Sequence, residues 1–297
     1  MKRSWTIVTA LASGMVAAAA LRAQRTTGGD PTIVSAHWLA GHLADPSIVV
    51  LDIEHDAGAY AAGHIPGARL VSYMDITTSR DGNSTEVPSA ESLRAVFERA
   101  GVSNGSHVIV YSSTPPVAAR GFFTLDYLGN VRVSYLDGGL AAWKSDGHEA
   151  TRDVPTARAG SYAPHPRSDM LADAAWVRAH TSAPGVALID TRTDGEYLGI
   201  GERHGMPSEG HIRGARQLQW EQLFTDAKQG VLLPKSQLAA LYAARVAPRD
   251  TVVTYCWVGY RASVTYMIAR VLGYPTKLYD GSYEDWSRRK LPVVSGK

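Results

Sequence analysis

An ordered series of short motifs runs through this chain twice, and that duplication limits its fold more than any single residue does. The first copy opens with Ile48-Val49-Val50-Leu51-Asp52 and continues through Tyr60 to Gly63-His64-Ile65-Pro66-Gly67-Ala68-Arg69. The second opens with Val186-Ala187-Leu188-Ile189-Asp190 and continues through Tyr197 to Gly210-His211-Ile212-Arg213-Gly214-Ala215-Arg216. Between Tyr197 and Gly210 this copy carries a longer loop, rich in glycine and charge. Farther on, Val108-Ile109-Val110-Tyr111-Ser112 matches Val252-Val253-Thr254-Tyr255-Cys256 without a gap, and Gly129 matches Gly273. Each copy closes on an acid, a glycine and a later tryptophan: Asp137-Gly138 with Trp143, and Asp280-Gly281 with Trp286. The period is too long for a stacked repeat array, so the pattern reads as domain duplication. A length of 297 residues suits two domains. They are expected over 31–149 and 167–291, with 150–166, which holds Pro155, Gly160, Pro164 and Pro166, as an exposed linker.

Local patterns set the class. The runs 48–51, 107–111, 186–189 and 251–255 are short, β-branched and bounded by turn residues, as buried parallel strands are. Helical stretches alternate with them. Leu93, Val96 and Phe97 share one face of Ser89–Ala100, and Leu238, Leu241 and Tyr242 share one face of Ser236–Val246. The expectation is an α/β protein of two similar domains, each a mostly parallel sheet flanked by helices.

Charge and composition exclude one class of partner. A formal net charge of +2, with no Lys/Arg tract and no zinc-finger spacing, gives nothing for nucleic acid to bind. At the start, Lys2 and Arg3 precede a mostly apolar run from Ile7 to Leu21, then Arg22-Ala23. That layout is expected to be a secretory signal peptide over 1–23, shorter than a membrane span. Its removal takes away Lys2, Arg3 and Arg22 and no acid, leaving 27 basic and 28 acidic residues. The expected location is therefore periplasmic or secreted, with no stable membrane association after cleavage. Such a chain has no internal disulfide, because Cys256 is its single cysteine.

Cys256 sits where chemistry is expected. A buried strand ends at Tyr255, and Val264, Met267, Ile268 and Val271 recur at helical spacing, so a helix begins near Ala262. Trp257, Val258, Gly259, Tyr260 and Arg261 thus form a short loop at the carboxyl end of a parallel strand, the edge where open α/β sheets bind ligands. Amides of such a loop and helix start cradle negative charge, and the thiolate is the reactive form of cysteine. Gly259 can take the backbone angles that curl a loop around the sulfur. Arg261 is expected to add a permanent positive charge. The bland alternative is an inert core thiol. His64 and His211 lie in Gly-His-Ile-x-Gly turns of both copies, one of which has no thiol, and are expected to be structural.

The motifs Asp-x-Arg-x-x-x-Glu-Tyr at 190–197, Gly-His-Ile-Arg-Gly-Ala at 210–215, Cys-x-x-Gly-x-Arg at 256–261 and Tyr-Asp-Gly-Ser-x-x-x-Trp at 279–286 resemble those of the rhodanese family. The likeness is to its tandem-domain thiosulfate and 3-mercaptopyruvate sulfurtransferases, from about His37 to Pro292. It implies two rhodanese-like domains, with Cys256 taking a sulfur from a small anionic donor as a persulfide and passing it to a thiol or cyanide. No cofactor and no metal are implied. Ser112 stands at the matching place in the first domain, which the family usually leaves inactive; Pro115 and Pro116 remove two backbone donors from its loop. Asp190 and Arg192 are implied to brace the site. Two departures bear on the donor: Trp257 and Val258 are neutral where thiosulfate-type loops are basic, and Glu196 replaces an arginine used by some members. The Gly-Ser/Thr-Gly run of mercaptopyruvate enzymes is also absent. Thiosulfate is the favoured donor and 3-mercaptopyruvate the runner-up. A non-catalytic module holding an anion or a partner is the alternative from another class. A phosphate loop would need one more residue between Cys256 and Arg261.

Overall fold

The computed structural model describes residues 32–156, 158–200 and 209–296. The expected signal segment and most of the loop between Tyr197 and Gly210 lie outside them. Two five-stranded sheets follow from the two sequence copies. In the first, β1 (Ile33–Val34), β2 (Ile48–Glu54), β3 (Arg69–Ser72), β6 (His107–Tyr111) and β7 (Arg132–Leu136) stand in the order β1-β7-β6-β2-β3, with every pair parallel. In the second, β8 (Leu171–Ala172), β9 (Val186–Asp190), β11 (Arg216–Gln217), β14 (Thr251–Tyr255) and β15 (Thr276–Tyr279) repeat it as β8-β15-β14-β9-β11, again all parallel. The continuous apolar runs occupy the central strands because both faces of those strands are covered. The matching registers are Asp52 opposite Tyr111 and Asp190 opposite Tyr255.

The helices expected at 89–100 and 236–246 form over Ala90–Arg99 and Lys235–Ala243. Ser89 caps the first through the Ser92 amide, and Leu93, Val96 and Phe97 are its buried face. After each central strand runs an almost wholly buried helix, Pro115–Leu128 in the first lobe and Ala262–Val271 in the second. These two pack on each other: Phe123 meets Tyr266 edge to face at 4.9 Å, and the Tyr266 hydroxyl donates to Asp126 at 2.9 Å. One apolar core therefore runs through both lobes, from Ile53 and Phe123 to Leu218, Val264 and Ile268.

Two antiparallel hairpins exchange between the lobes. That of β4 (Thr78–Arg80) and β5 (Asn83–Glu86) reaches the second lobe, where Asp280 accepts the Val87 amide at 2.6 Å. The hairpin of β12 (Phe224–Asp226) and β13 (Val231–Leu232) reaches the first, where Asp137 accepts the Leu232 amide at 2.8 Å. The segment 150–166, expected as an exposed linker, is mostly exposed but tied along the first lobe. Thr151 bridges His64, the Gly160 amide donates to Glu98 O at 2.8 Å, and buried Tyr162 donates its hydroxyl to Gly129 O at 2.6 Å. Its regular hydrogen bonding, invisible in a proline- and glycine-rich composition, makes it a strap. Among the described residues no helix is long and apolar enough to cross a membrane.

Candidate active site

Cys256 follows the last residue of β14 directly, and the helix Ala262–Val271 starts six residues later. The thiol is wholly buried, and its Sγ accepts the Gly259 amide at 3.1 Å. The loop gets this inward amide by turning its carbonyls outward. Cys256 O accepts the Tyr283 amide at 3.1 Å, Trp257 O accepts the Glu284 amide at 2.9 Å, and Val258 O accepts the Thr85 hydroxyl. The Cys256 amide donates to Ser282 Oγ at 3.3 Å, and that hydroxyl donates to Tyr279 O at 2.8 Å. The 279–286 motif is thus the outer wall of the cysteine loop. Gly259 is required by two facts: its φ is 94°, and a Cβ there would lie 2.7 Å from Asp280 O. Burial by itself fits an inert core thiol, but a backbone amide aimed at the sulfur gives this one a hydrogen bond that stabilises negative charge on it.

Arg261 does not stand free beside the thiol, as expected from sequence. It forms a two-pronged ion pair with Glu196, at 2.8 and 3.1 Å. Glu196 is placed for this by a capping box: its carboxylate accepts the Thr193 amide at 2.8 Å at the start of the Asp194–Leu198 helix. Burial pushes the Glu196 carboxyl up, but the Arg261 guanidinium and the Thr193 donors outweigh it and hold its pKa down at about 2. Burial likewise opposes the Arg261 charge, and the Cys256 sulfur and Glu196 outweigh it, so its pKa stands above the ordinary value.

Asp190 and Arg192 are both fully buried and paired at 2.6 Å. Arg192 also donates to Gly210 O at 2.8 Å and lies 3.9 Å from the Tyr283 ring centroid, while the Tyr255 hydroxyl donates to Asp190 at 2.6 Å. This pair joins the strand end, the Gly-His-Ile turn and the outer wall; it holds the loop's surroundings. Trp257 packs into that same cluster, its ring stacked on Tyr283 with centroids 5.4 Å apart. Tyr260 packs instead with Cys256 in the other core. The loop residues therefore part to two sides: Gly259, Tyr260 and Arg261 accompany the sulfur, Trp257 faces away, and Val258 contributes its carbonyl.

The first lobe supplies residues that sequence reading missed. Tyr73 lies edge-on to Tyr260 at 6.1 Å, and His55 packs on Tyr73 at 4.1 Å. Burial pushes the Tyr73 phenol up to about 12. Arg120, fully buried in the Pro115–Leu128 helix, crosses to Asp280 at 2.7 Å and donates to Thr85 O at 2.8 Å. One signal could have found it: a lone arginine among Pro115, Val117, Phe122, Phe123 and Leu125 cannot be satisfied by its own helix. At the matching loop of this lobe, Ser113 donates its amide at 2.5 Å and its hydroxyl at 2.6 Å to Glu54, and Ser112 Oγ accepts the Thr114 amide at 3.0 Å. His64 and His211 stack on Tyr60 and Tyr197, each with centroids 3.7 Å apart, and their Nδ1 atoms meet the carbonyls of those tyrosines at 3.0 and 2.9 Å. Among the described residues no three His, Cys, Asp or Glu side chains group as a metal site.

Comparison with known proteins finds the same duplication. The family model described as Rhodanese-like domain matches residues 35–146 and again 173–289. The "Probable 3-mercaptopyruvate sulfurtransferase" of Pseudomonas aeruginosa is 32% identical, over 89% of this chain and 98% of its own length. The "Thiosulfate sulfurtransferase" of Azotobacter vinelandii is 29% identical over 86% of this chain and 94% of its own length, and the "Sulfur carrier protein TtuD" of Thermus thermophilus is 30% identical over 89% and 97%. Among solved structures, the anaerobic ergothioneine biosynthesis enzyme of Chlorobium limicola superposes with a TM-score of 0.80 at 22% identity, covering 90% of this chain and 70% of that one. At that identity the likeness is one of fold.

Proposed function

The chain belongs to the rhodanese family, and from that membership we propose that it is a sulfurtransferase that moves sulfur from thiosulfate to a thiophilic acceptor through a persulfide on Cys256. The observation that carries this reading is the Gly259 amide on Sγ, inside a loop whose carbonyls are held outward. The Cys256 thiolate attacks the outer sulfur of thiosulfate. A Cys256–sulfur bond forms as the donor's sulfur–sulfur bond breaks, and sulfite leaves with that bond's electron pair. An acceptor nucleophile then takes the outer sulfur, and the pair returns to the cysteine sulfur; with cyanide the product is thiocyanate. This is covalent catalysis in two half-reactions and needs no cofactor. The first domain, with Ser112 for cysteine and a loop whose Ser113 is tied to the Glu54 carboxylate of β2, carries no thiol chemistry of its own.

A second reading of the donor has a specific observation behind it. Arg261 is already paired with Glu196, so the pocket has less net positive charge to offer a dianion than its sequence promised. 3-Mercaptopyruvate, whose thiol is largely protonated, needs less of it. Thiosulfate remains the proposed donor, with a weak apparent affinity. Side-by-side kcat/KM values for the two donors with cyanide test this. A higher value for mercaptopyruvate overturns the donor, and an enzyme that binds thiosulfate but releases no sulfite is a binding module instead. The proposed location is periplasmic or secreted, after loss of Met1–Ala23. Full-length protein found solely in the cytosol would contradict that.

A further inference from the structure

We propose that Thr85, in the lobe without a thiol, is a positioning residue for sulfur transfer, because it sets the orientation of the one peptide whose amide holds the Cys256 sulfur. Val258 O and the Gly259 amide belong to a single planar peptide unit, in which C=O and N–H point in opposite directions. The Thr85 hydroxyl donates to Val258 O, and the Gly259 amide donates to Sγ at 3.1 Å. A donor pulling on that carbonyl therefore aims the amide at the sulfur and polarises it toward a stronger donor. The loop carbonyls of Cys256 and Trp257 are held by the Tyr283 and Glu284 amides of the catalytic lobe itself, and that of Gly259 by the Ser263 hydroxyl of the same lobe. Among the described residues, the loop carbonyl that the opposite lobe holds is that of the peptide touching the sulfur.

Thr85 is itself fixed. Its carbonyl accepts Arg120 Nη2 at 2.8 Å, while Arg120 Nη1 pairs with Asp280 at 2.7 Å, and its neighbour Ser84 donates an amide at 2.7 Å and a hydroxyl at 2.9 Å to buried Glu284. The chain of contacts runs from a buried guanidinium, through the β4–β5 hairpin, to one loop peptide and the sulfur. It gives the first lobe a part in the reaction although it has no thiol.

This inference rests on the sulfurtransferase reading, and one experiment separates their failures. Wild type, Thr85→Val and Thr85→Ser are compared; Val keeps the shape of a half-exposed hairpin residue and removes the donor, and Ser keeps the donor. The first readout is the pH midpoint of Cys256 alkylation by iodoacetamide, followed by intact mass, which needs no turnover. The ionisable groups around the loop, namely Arg261, Glu196, Glu221 and Tyr260 from its own lobe and Tyr73, His55 and Arg120 from the other, are present in all three proteins; Tyr73, whose phenol the Thr85 hydroxyl also meets, loses that partner in Thr85→Val and regains it in Thr85→Ser. The expected result for Thr85→Val is a midpoint higher by about half a pH unit. Its kcat with thiosulfate and cyanide should fall about tenfold at nearly constant KM, less than the loss of a whole anion-holding donor. Thr85→Ser should restore both. An unmoved midpoint in Thr85→Val overturns the proposal, and so does a loss that Thr85→Ser fails to restore. A wild type that turns over no sulfur yet shows the expected midpoints would sink the sulfurtransferase reading and leave the positioning role standing.

Discussion

At the scale of single residues, the site is governed by charges that partners have already claimed. Glu196 turns the loop's own Arg261 into half of an ion pair. Glu196→Gln should keep the capping box, since glutamine serves at that position as well as glutamate, and release the guanidinium charge. The KM for thiosulfate is expected to fall about fivefold at low ionic strength, with a smaller gain at high salt. An unchanged KM in steady-state assays at both salt concentrations would contradict this account of Arg261. Sequence placed Cys256, Gly259 and Arg261 in one loop because they are neighbours in the chain. It could not show that Arg261 was paired, since its partner lies 65 residues away. Nor could it distinguish Trp257 from Tyr260; two aromatics three residues apart on a curled loop go to different cores, and only the curl decides which.

Comparing matching elements shows what separates the two lobes. The strands β2 and β9 carry Asp52 and Asp190 at the same register, and each accepts a tyrosine, Tyr111 or Tyr255. Two residues on, Arg192 in the second lobe corresponds to Glu54 in the first. Burial first, and then the Glu54 charge, push the Asp52 carboxyl up to about 8. The folded state therefore keeps a proton that the unfolded chain has lost, and stability falls as pH rises from about 4 to about 8. Asp52→Asn removes that slope: its melting temperature should gain on wild type progressively from pH 5 to pH 8, and a constant or shrinking gap would refute the assignment. The long helices differ in the same way. Arg120 in one corresponds to Val264 in the other, so Asp280 faces a buried cation and Asp137 does not. Asp280→Asn should cost about 3–5 kcal/mol in urea unfolding, as expected when a buried charge loses its partner. Asp137→Asn should cost less, about 1 kcal/mol, because an amide oxygen still accepts the Leu232 amide. Equal losses would mean that the inter-lobe pair is not what distinguishes them. Strand and helix positions were legible in the sequence because each follows from local periodicity; the exchange of hairpins was not, because the strands of β4–β5 and β12–β13 are too short to show a period and reach their partners in the opposite lobe.

Over the whole molecule, duplication supplied two equivalent loops and exchange made them unequal. One core runs through both lobes, and the lobe without a thiol closes over the other's sulfur with Tyr73, Thr85 and Arg120. The strap of 150–166 joins them along one side, although its composition reads as a loose connection. A tandem chain with one cysteine is, on this account, a single enzyme rather than an active domain with a passenger. In the proposed reaction sulfur rides on Cys256, and a chain with one cysteine allows that to be read from mass alone. Intact-mass measurement after incubation with thiosulfate, followed by cyanide, should show wild type gaining the mass of one sulfur atom and then losing it, while Cys256→Ser gains nothing. A Cys256→Ser protein that takes up the same mass, or a wild type that takes up none, would contradict it.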